Sequence, residues 1–425
     1  MLSTLIPAQA TNGYFGHGYG TKNKGLAGAG SALPQDAMAA ATNPAGMVFV
    51  GERLDMGVAL FSPSRSYEIS TLTAPPMMPP ELPLVAGKVD SGSNYFVIPH
   101  LAKNWMLGAD ASLGLTLYGN GGMNTDYPGS ASAGMGTYYG GAAGVNLEQL
   151  FVNASYARKV TETSSLGISL IFAYQRFEAR GLSAFGGWST DPDNLSNRGV
   201  DSSYGWGFKL GWMGEVIDGL TLGAAYQSKI AMSEFDRYAG LFAGHGDFDI
   251  PANWNLGLAY DVSAAGTLVF DVQHIQYSDV AAVGNPMLPA LWQCFPQPYG
   301  GGDSRFCMGA DGGPGFGWQD MTVYKLGYQW VVSSMPEYNW RAGFSYGKQP
   351  IPDTEVIFNI LAPGVMQQHV TLGMTRALSG GRELSLALMY APGQTLKGRN
   401  PAVATSDQQI QLQMTEWELE ISYRW

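Results

Sequence analysis

The chain has few charged residues and no long apolar run. No window of its 425 residues approaches 18 consecutive apolar residues, which excludes a transmembrane helix. Charged residues make up only 13%, whereas aromatic residues make up 12% and glycine occurs 57 times. This balance is typical of a membrane β-barrel, in which apolar lipid-facing residues alternate with polar residues facing the lumen. The net charge of -11 argues against nucleic acid as a partner.

Cysteine is also scarce. The two cysteines, Cys294 and Cys307, lie in one Gly- and Pro-rich stretch. In a secreted chain such a nearby pair is more often a disulfide than a metal or redox site, and its spacing matches no zinc pattern. We therefore expect a Cys294–Cys307 disulfide, no metal site and no cofactor. The five histidines show no ligand spacing: His17, His100, His245, His274 and His369.

The C-terminal stretch from Trp417 to Trp425 alternates at period two. Odd positions are apolar or aromatic and even positions are polar or charged. Its length fits the roughly 9–11 residues of a tilted transmembrane strand, and its final aromatic residue resembles the C-terminal signature of bacterial outer-membrane barrels. An amphipathic edge strand of a soluble sandwich is the alternative.

The alternation changes phase further upstream. Ile410, Leu412 and Met414 are apolar at even positions, whereas the apolar positions after Trp417 are odd. This change predicts a one-residue slip near Thr415–Glu416, in the form of a β-bulge at the outer rim.

Fourteen stretches have strand character, and their connections alternate between long and tight. An even strand number with long loops on one side and short turns on the other is expected of an outer-membrane barrel. The sequence therefore predicts an all-β fold, a 14-stranded antiparallel transmembrane β-barrel over 51–425. The predicted strands lie near 52–70, 94–106, 107–119, 146–159, 162–180, 202–218, 219–235, 251–262, 265–277, 318–333, 336–348, 366–378, 381–393 and 407–425.

The N-terminal 50 residues do not have strand character. Ala8-Gln9-Ala10 has the small-x-small form of a signal-peptidase site, so we interpret residues 1–10 as the end of a signal peptide. Residues 11–50 are rich in Gly and Ala, and an alanine run between Pro34 and Asn43-Pro44 predicts one short helix that ends at its proline. A helix this short needs surrounding protein. We therefore expect residues 11–50 to form a plug, the hatch, inside the barrel.

The hatch region resembles a known family. The motifs Asn12-Gly13-Tyr14-Phe15, Lys24-Gly25-Leu26-Ala27-Gly28-Ala29-Gly30 and Asn43-Pro44-Ala45-Gly46 are similar to the hatch of the FadL family of outer-membrane transporters for long-chain fatty acids and related hydrophobic compounds. The resemblance continues at Asn339-Trp340-Arg341-Ala342-Gly343 and covers the whole chain. It implies a non-enzymatic transporter in the bacterial outer membrane, with a hatch that rearranges around Asn43, Pro44 and Ala45.

Residues on the inward faces would then form a ligand site. Apolar side chains there are unusual for a water channel and could hold an acyl tail, while cations could pair with its carboxylate. The alternative is that the cations neutralise inward acids such as Glu416, Glu418 and Glu420, or contact the hatch. The apolar candidates are Phe96, Ile98, Ile171, Phe177, Val323 and Met389, and the cationic candidates are Arg176, Lys325 and Arg341.

The wall near the second and third strands carries residues that weaken a sheet. Pro99 cannot donate a ladder hydrogen bond, and Gly108, Gly114 and an inward Asp110 follow in the next strand. In the family a kink in the third strand opens a lateral window beside the hatch, so we expect a hydrophobic ligand to leave sideways here. An ordinary bulge is the alternative.

Two long loops are apolar for water-exposed segments, and apolar patches usually mark a ligand or partner. The family's third and fourth extracellular loops form a capture groove, and these segments correspond to them in order. The capture candidates are Leu182, Phe185, Trp188, Leu241 and Phe242.

The preferred function is passive uptake, by a monomer in contact with outer-membrane lipid, of a fatty acid, a detergent-like molecule or an aromatic compound. No ATP motif is present, so the ligand gradient would drive transport. One alternative is a gated pore for polar solutes. The other is an outer-membrane lipid hydrolase, because the sequence around Ser345 matches G-x-S-x-G, although Ser345 lies in an alternating strand with no helix following.

Overall fold

The barrel wall consists of antiparallel strands that follow each other in chain order. A computed structural model describes residues 12–73, 81–130, 134–294, 302–403 and 407–425, so the predicted signal-peptide end at 1–10 lies outside the described residues. The strands are β1 Arg53–Ile69, β2 Gly87–Asp90, β3 Phe96–Met106, β4 Ala111–Asn124, β5 Gly144–Lys159, β6 Ser164–Arg180, β7 Asp201–Ile217, β8 Leu220–Gln227, β9 Ala231–Met232, β10 Asn253–Ser263, β11 Gly266–Ile275, β12 Met321–Val332, β13 Met335–Gly347, β14 Gln368–Ala377, β15 Glu383–Arg399 and β16 Gln409–Arg424.

Fourteen of these strands close into a barrel, which confirms the predicted fold class. Each pairs with its neighbours in sequence, and β16 pairs with β1 to complete the circle. The short β2 pairs with the outer end of β1, and β9 pairs with β7. Long loops at one end alternate with tight turns at the other, as the sequence predicts.

In the described part of the chain, short helices lie in the hatch and in the connections. In the hatch, α1 Thr21–Lys24 and α2 Ala39–Thr42 are followed by a 3-10 helix, Pro44–Phe49. The predicted alanine helix is thus present but shorter, and it ends before Asn43-Pro44. Among the described residues, no helix is long and apolar enough to cross a membrane. The connections contain Ser183–Trp188, Pro192–Asn194, Asp236–Tyr238, Ala243–Gly246, Tyr277–Asp279, Ala281–Gly284, Met287–Gln293, Ser304–Phe306, Phe358–Ile360 and Ser379–Gly381.

The last strand keeps one inward face along its whole length. Its pairing with β1 is continuous from Asp55–Arg424 to Ile69–Ile410. The slip predicted near Thr415–Glu416 is therefore wrong for β16; the register shift lies in the neighbouring β15, between Ala391 and Gln394. The apolar residues move from even to odd positions for another reason: the inward, even-numbered residues are acidic near the hatch and apolar farther out.

Ion pairs hold the hatch against the acidic part of the wall. The Lys24 ammonium group lies 2.8 Å from Glu418 and 2.6 Å from Glu420, with all three side chains buried. Lys22 lies 2.6 Å from Glu383. The Lys24 pair is enclosed, so solvent screens it little and each partner depends on the other. In the outer loops, Cys294 and Cys307 are joined by a disulfide with an S–S distance of 2.03 Å.

Replacing Lys24 tests this attachment. In a Lys24→Met variant two buried carboxylates lose their counter-ion, and breaking a buried ion pair costs about 3–5 kcal/mol. We expect hydrogen exchange of the hatch amides to become faster by orders of magnitude, while wall amides keep their protection. Lys88→Met removes an exposed pair at 3.8 Å from Asp90 and serves as the control. Unchanged hatch exchange in Lys24→Met would show that the ion pairs do not hold the hatch.

Candidate functional site

The outer end of the lumen is closed by apolar loop residues. Phe185 and Leu182 come from the loop after β6, Phe242 from the loop after β9, and Phe177 from the β6 wall; all four are buried. They line a cavity, here called the loop cavity, with about 40 Å³ of open space. An apolar cavity that binds benzene measures about 150 Å³, so a ligand requires the loops to separate.

The capture candidates are placed differently from expectation. Leu182, Phe185, Trp188 and Phe242 are buried, and Leu241 is half-buried. They are not an exposed patch, because the loops fold onto one another. Sequence reasoning missed their partners from later loops, although apolar residues in those loops were a signal. These partners are Ala282, Met308, Phe316, Phe358 and Leu361.

A chain of ring contacts runs from the loop cavity to the hatch. The centroids of Phe177 and Phe242 are 4.7 Å apart, and those of Phe242 and Phe248 are 4.9 Å apart. Phe248 lies 6.2 Å from Tyr14 of the hatch, whose ring lies 5.3 Å from Phe15. We call these five residues the aromatic chain. It is a continuous apolar connection through the part of the barrel above the hatch.

Tyr14 is held from two sides where the aromatic chain reaches the hatch. Its backbone N–H donates to the Tyr277 hydroxyl at 3.2 Å, and its ring lies 5.9 Å from Trp318. Trp318 donates its indole N–H to Asn359 at 2.6 Å. Burial raises the pKa of the Tyr14 phenol well above its usual range, so the ring stays uncharged.

The wall has a break beside the hatch. Pairing between β3 and β4 ends at His100–Tyr118, although β3 begins at Phe96 and β4 continues to Asn124. Pro99, which has no N–H, is the first β3 residue beyond the last pair. Segments 96–99 and 119–124 pair with their other neighbouring strands but not with each other. We call these two segments the wall break.

The hatch backbone takes the place of β3 at the wall break. Gly16 N–H donates to the Asn120 carbonyl at 3.1 Å, and Gly122 N–H donates to the Tyr14 carbonyl at 2.9 Å. Gly121 makes this approach possible, because a Cβ there would lie 1.8 Å from the Tyr14 carbonyl oxygen. The signal in the sequence was the run Gly119-Asn120-Gly121-Gly122, which the sequence analysis did not use.

Three of the predicted opening residues lie elsewhere. Gly108 and Asp110 are exposed in the turn between β3 and β4, so Asp110 does not face inward as predicted. The strand begins later than expected, which moves both residues out of the wall. Gly114 is buried on the inward face, and its Cα lies close to the hatch residue Met47. Of the four predicted opening residues, Pro99 alone lies in the wall break.

The apolar lumen candidates face inward. Five of the six are buried, and Phe96 is partly buried with its ring 6.4 Å from Phe61. They belong to the same hydrophobic cluster as Tyr14 and Phe15. The five buried candidates are Ile98, Ile171, Phe177, Val323 and Met389.

The cationic candidates have protein partners. Lys325 donates to the His17 carbonyl at 3.2 Å, and Arg341 donates to the Gln35 side chain at 2.9 and 2.6 Å. Both therefore contact the hatch, as the alternative interpretation anticipated. Arg176 does not face inward, because the alternation places it on the outer face, where it lies 3.6 Å from Glu148.

The segment Asn43-Pro44-Ala45 is attached to the wall. Asn43 donates to the carbonyls of Ser31 at 2.8 Å and Trp212 at 2.9 Å, and Ser165 donates to the Ala45 carbonyl at 2.7 Å. These contacts make it the anchored end of the hatch. Its gating role stays a prediction.

Ser345 and His369 form a hydrogen bond in the wall. The hydroxyl lies 3.0 Å from Nδ1 of His369, and both residues are buried. The second ring nitrogen, Nε2, has no hydrogen-bond partner within the described part of the chain. A hydrolase triad also needs an acid that orients the histidine and donors for an oxyanion; in the described residues no acid bonds to this ring.

Comparisons with known proteins agree with this architecture. A family model described as "Outer membrane protein transport protein (OMPP1/FadL/TodX)" matches residues 6–416. No curated protein matches the chain in sequence.

Solved structures share the fold at low sequence identity. The toluene transporter TodX of P. putida matches with a TM-score of 0.65 and 17% identity, covering 96% of this chain and 98% of that one. The toluene transporter TbuX of Ralstonia pickettii gives 0.62 and 18%, over 96% and 98%. A Pseudomonas aeruginosa FadL homologue gives 0.67 and 16%, over 99% of both chains.

A substitution at Gly121 tests whether the hatch completes the wall. In Gly121→Ala the added methyl group would lie 1.8 Å from the Tyr14 carbonyl, so Tyr14–Gly16 must move away. We expect faster hydrogen exchange at Gly16 and Gly122 and a folded barrel. In Gly186→Ala, the control, the nearest atom lies 3.7 Å away. Equal exchange in both variants would contradict the contact.

Proposed function

Since the chain belongs to the OMPP1/FadL/TodX family of outer membrane transport proteins, we propose that it takes up long-chain fatty acids or similar hydrophobic compounds, aromatic hydrocarbons included, by passive diffusion. The family's members are transporters of the bacterial outer membrane. In the proposed route the ligand is captured between the loops, binds in the lumen, displaces part of the hatch and leaves sideways through the wall.

The observation that carries this proposal is the continuity of the apolar path. The aromatic chain begins at the loop cavity and ends at Phe15, whose backbone bridges to Gly121 at the wall break. Its rings present apolar faces to a ligand and bury a large area each. Four of the five rings are phenylalanines without a hydrogen-bonding group, so the path favours hydrophobic cargo over the polar-pore alternative.

The hatch needs to move at only one end. Asn43-Pro44-Ala45 is bound to the wall by hydrogen bonds to Trp212 and Ser165, whereas the side chain of Asn12 and both ring nitrogens of His17 are buried without hydrogen-bond partners among the described residues. Burying polar groups without hydrogen bonds destabilises the closed position of the hatch, and exposing them to water removes this cost. We propose that the segment from Asn12 to His17 moves and that Asn43-Pro44-Ala45 acts as the fixed point of the rearrangement.

Phe177 provides a test of the lumen path. Phe177→Ala removes a ring that contacts Phe242 and lines the loop cavity. Loss of a buried aromatic anchor costs at least about 1 kcal/mol of binding, so we expect uptake of a labelled hydrophobic compound at low concentration to fall about fivefold. Phe172→Ala is the matched control, since Phe172 lies in the same strand and packs outward on Trp206. Equal uptake by both variants would place the path elsewhere.

Closing the wall break tests lateral exit. Cysteines introduced by Pro99→Cys and Gly119→Cys would occupy the first unpaired position of β3 and β4. When they are oxidised to a disulfide, we expect uptake to fall to a small fraction of its value and to recover on reduction. Leu101→Cys with Leu117→Cys joins residues that are already paired and is the control. Full uptake with the first cross-link formed would indicate exit through the hatch into the periplasm.

A further inference from the structure

Glu416 places a buried carboxyl group on the inner face of the wall. Glu416 is fully buried, and neither of its oxygens has a hydrogen-bond partner among the residues that the structure describes. The neighbouring inward acids of β16, Glu418 and Glu420, are both bound by Lys24. Along β16, Glu416 is the inward residue next to Glu418. The inward residue on its other side is the apolar Met414.

Arg65, a cation near Glu416, is hydrogen-bonded to backbone carbonyls. Arg65 donates through its two terminal nitrogens to the carbonyls of Ser93 and Asn124, which lie on the two sides of the wall break. Its third nitrogen, Nε, is buried without a hydrogen-bond partner in the described ranges. Because Pro63 is opposite Glu416 and Arg65 is opposite Met414, Arg65 and Glu416 are diagonal neighbours on the inner face.

Aromatic side chains of the wall lie beside this pair. Arg65 lies over the Phe96 ring at 5.7 Å from its centroid, and Phe96 lies beside Phe61. A carboxyl group buried among such residues is costly unless something hydrogen-bonds to it. The pair therefore presents one free donor and two free acceptors to whatever enters the lumen between the hatch and the wall break.

We infer that Glu416 and Arg65 Nε form a head-group subsite for uncharged hydrophobic compounds that carry a hydroxyl group, such as fatty or aromatic alcohols. A hydroxyl donates to one oxygen of Glu416 and accepts from Arg65, and so gives each residue a hydrogen-bond partner. A hydrocarbon satisfies neither. A fatty-acid anion brings a carboxylate into a buried site where Arg65 is already bonded to two backbone carbonyls, and burying that charge is costly. This inference rests on the proposed function and specifies its ligand class.

Three ligands with one tail and different heads test the subsite. Dodecanol, dodecane and dodecanoate compete against a fluorescent hydrophobic probe for the purified protein in lipid nanodiscs. We expect the unmodified protein to prefer dodecanol to dodecane by about tenfold, the effect of one to two satisfied hydrogen bonds. In Glu416→Leu this ratio should fall towards one, while dodecane affinity is retained.

Glu416→Gln provides a second, nearly isosteric variant. Its amide still donates and accepts, so the preference for dodecanol over dodecane should persist. Thr415→Val, which changes the adjacent outward residue, should leave all three affinities unchanged. Heat-modifiable migration on gels reports that each variant is folded.

The outcomes separate the inference from the proposed function. If the unmodified protein binds the ligands but Glu416→Leu keeps its dodecanol preference, or Glu416→Gln loses it, the subsite is overturned and the transporter stands. If the unmodified protein binds none of the three ligands and imports none of them into cells, the proposed function fails and the subsite fails with it.

Discussion

The backbone hydrogen bonds across the wall break are the constraint on which the rest of the structure depends. Within a membrane every backbone N–H and C=O must be satisfied by protein, which is why barrels close. Between β3 and β4 the wall does not satisfy this rule by itself. Residues Tyr14 to Gly16 complete it by bonding to Asn120 and Gly122. The hatch is thus both the plug of the lumen and part of the wall.

Charged and apolar inward residues occupy different levels along the barrel axis. At the level of the hatch, inward acids of the wall face hatch lysines, and wall cations such as Lys325 face hatch carbonyls. Beyond the hatch the inward residues of the same strand become apolar, from Met414 to Ile410. The charged level faces the hatch, whose polar groups pair with its buried ions. The apolar level faces the part of the lumen where a hydrophobic ligand needs no such partner. Glu416 lies at the boundary and belongs to neither level.

The sequence predicts the barrel well because alternation acts locally. A strand with one face in lipid must be apolar at every second residue, so strand number and order follow from the chain alone. Side-chain direction is more fragile, because a shift of one residue reverses it. Arg176 was assigned to the wrong face in this way, and Asp110 was placed in a strand that begins after it.

The residues of the site that sequence reasoning missed depend on contacts between distant segments. Nothing local marks Phe248 as a lumen residue, since it comes from a long loop whose fold is set by other loops. The even-phase residues of β16 show the same limit. Ile410 and Leu412 look like lipid-facing residues when read alone, and only the plugged lumen explains an apolar inward face.

Tyr14 connects the contents of the lumen to the closure of the wall. Its ring is a member of the aromatic chain, while its carbonyl accepts the Gly122 N–H at the wall break. A ligand that takes the place of the ring in the chain therefore also removes an acceptor from the wall. A ligand shifts such an equilibrium only by the difference in its affinity for the two states. In the proposed route, a ligand that contacts the part of Phe248 now covered by Tyr14 would favour the open wall over the closed one, because that contact requires Tyr14 to be displaced.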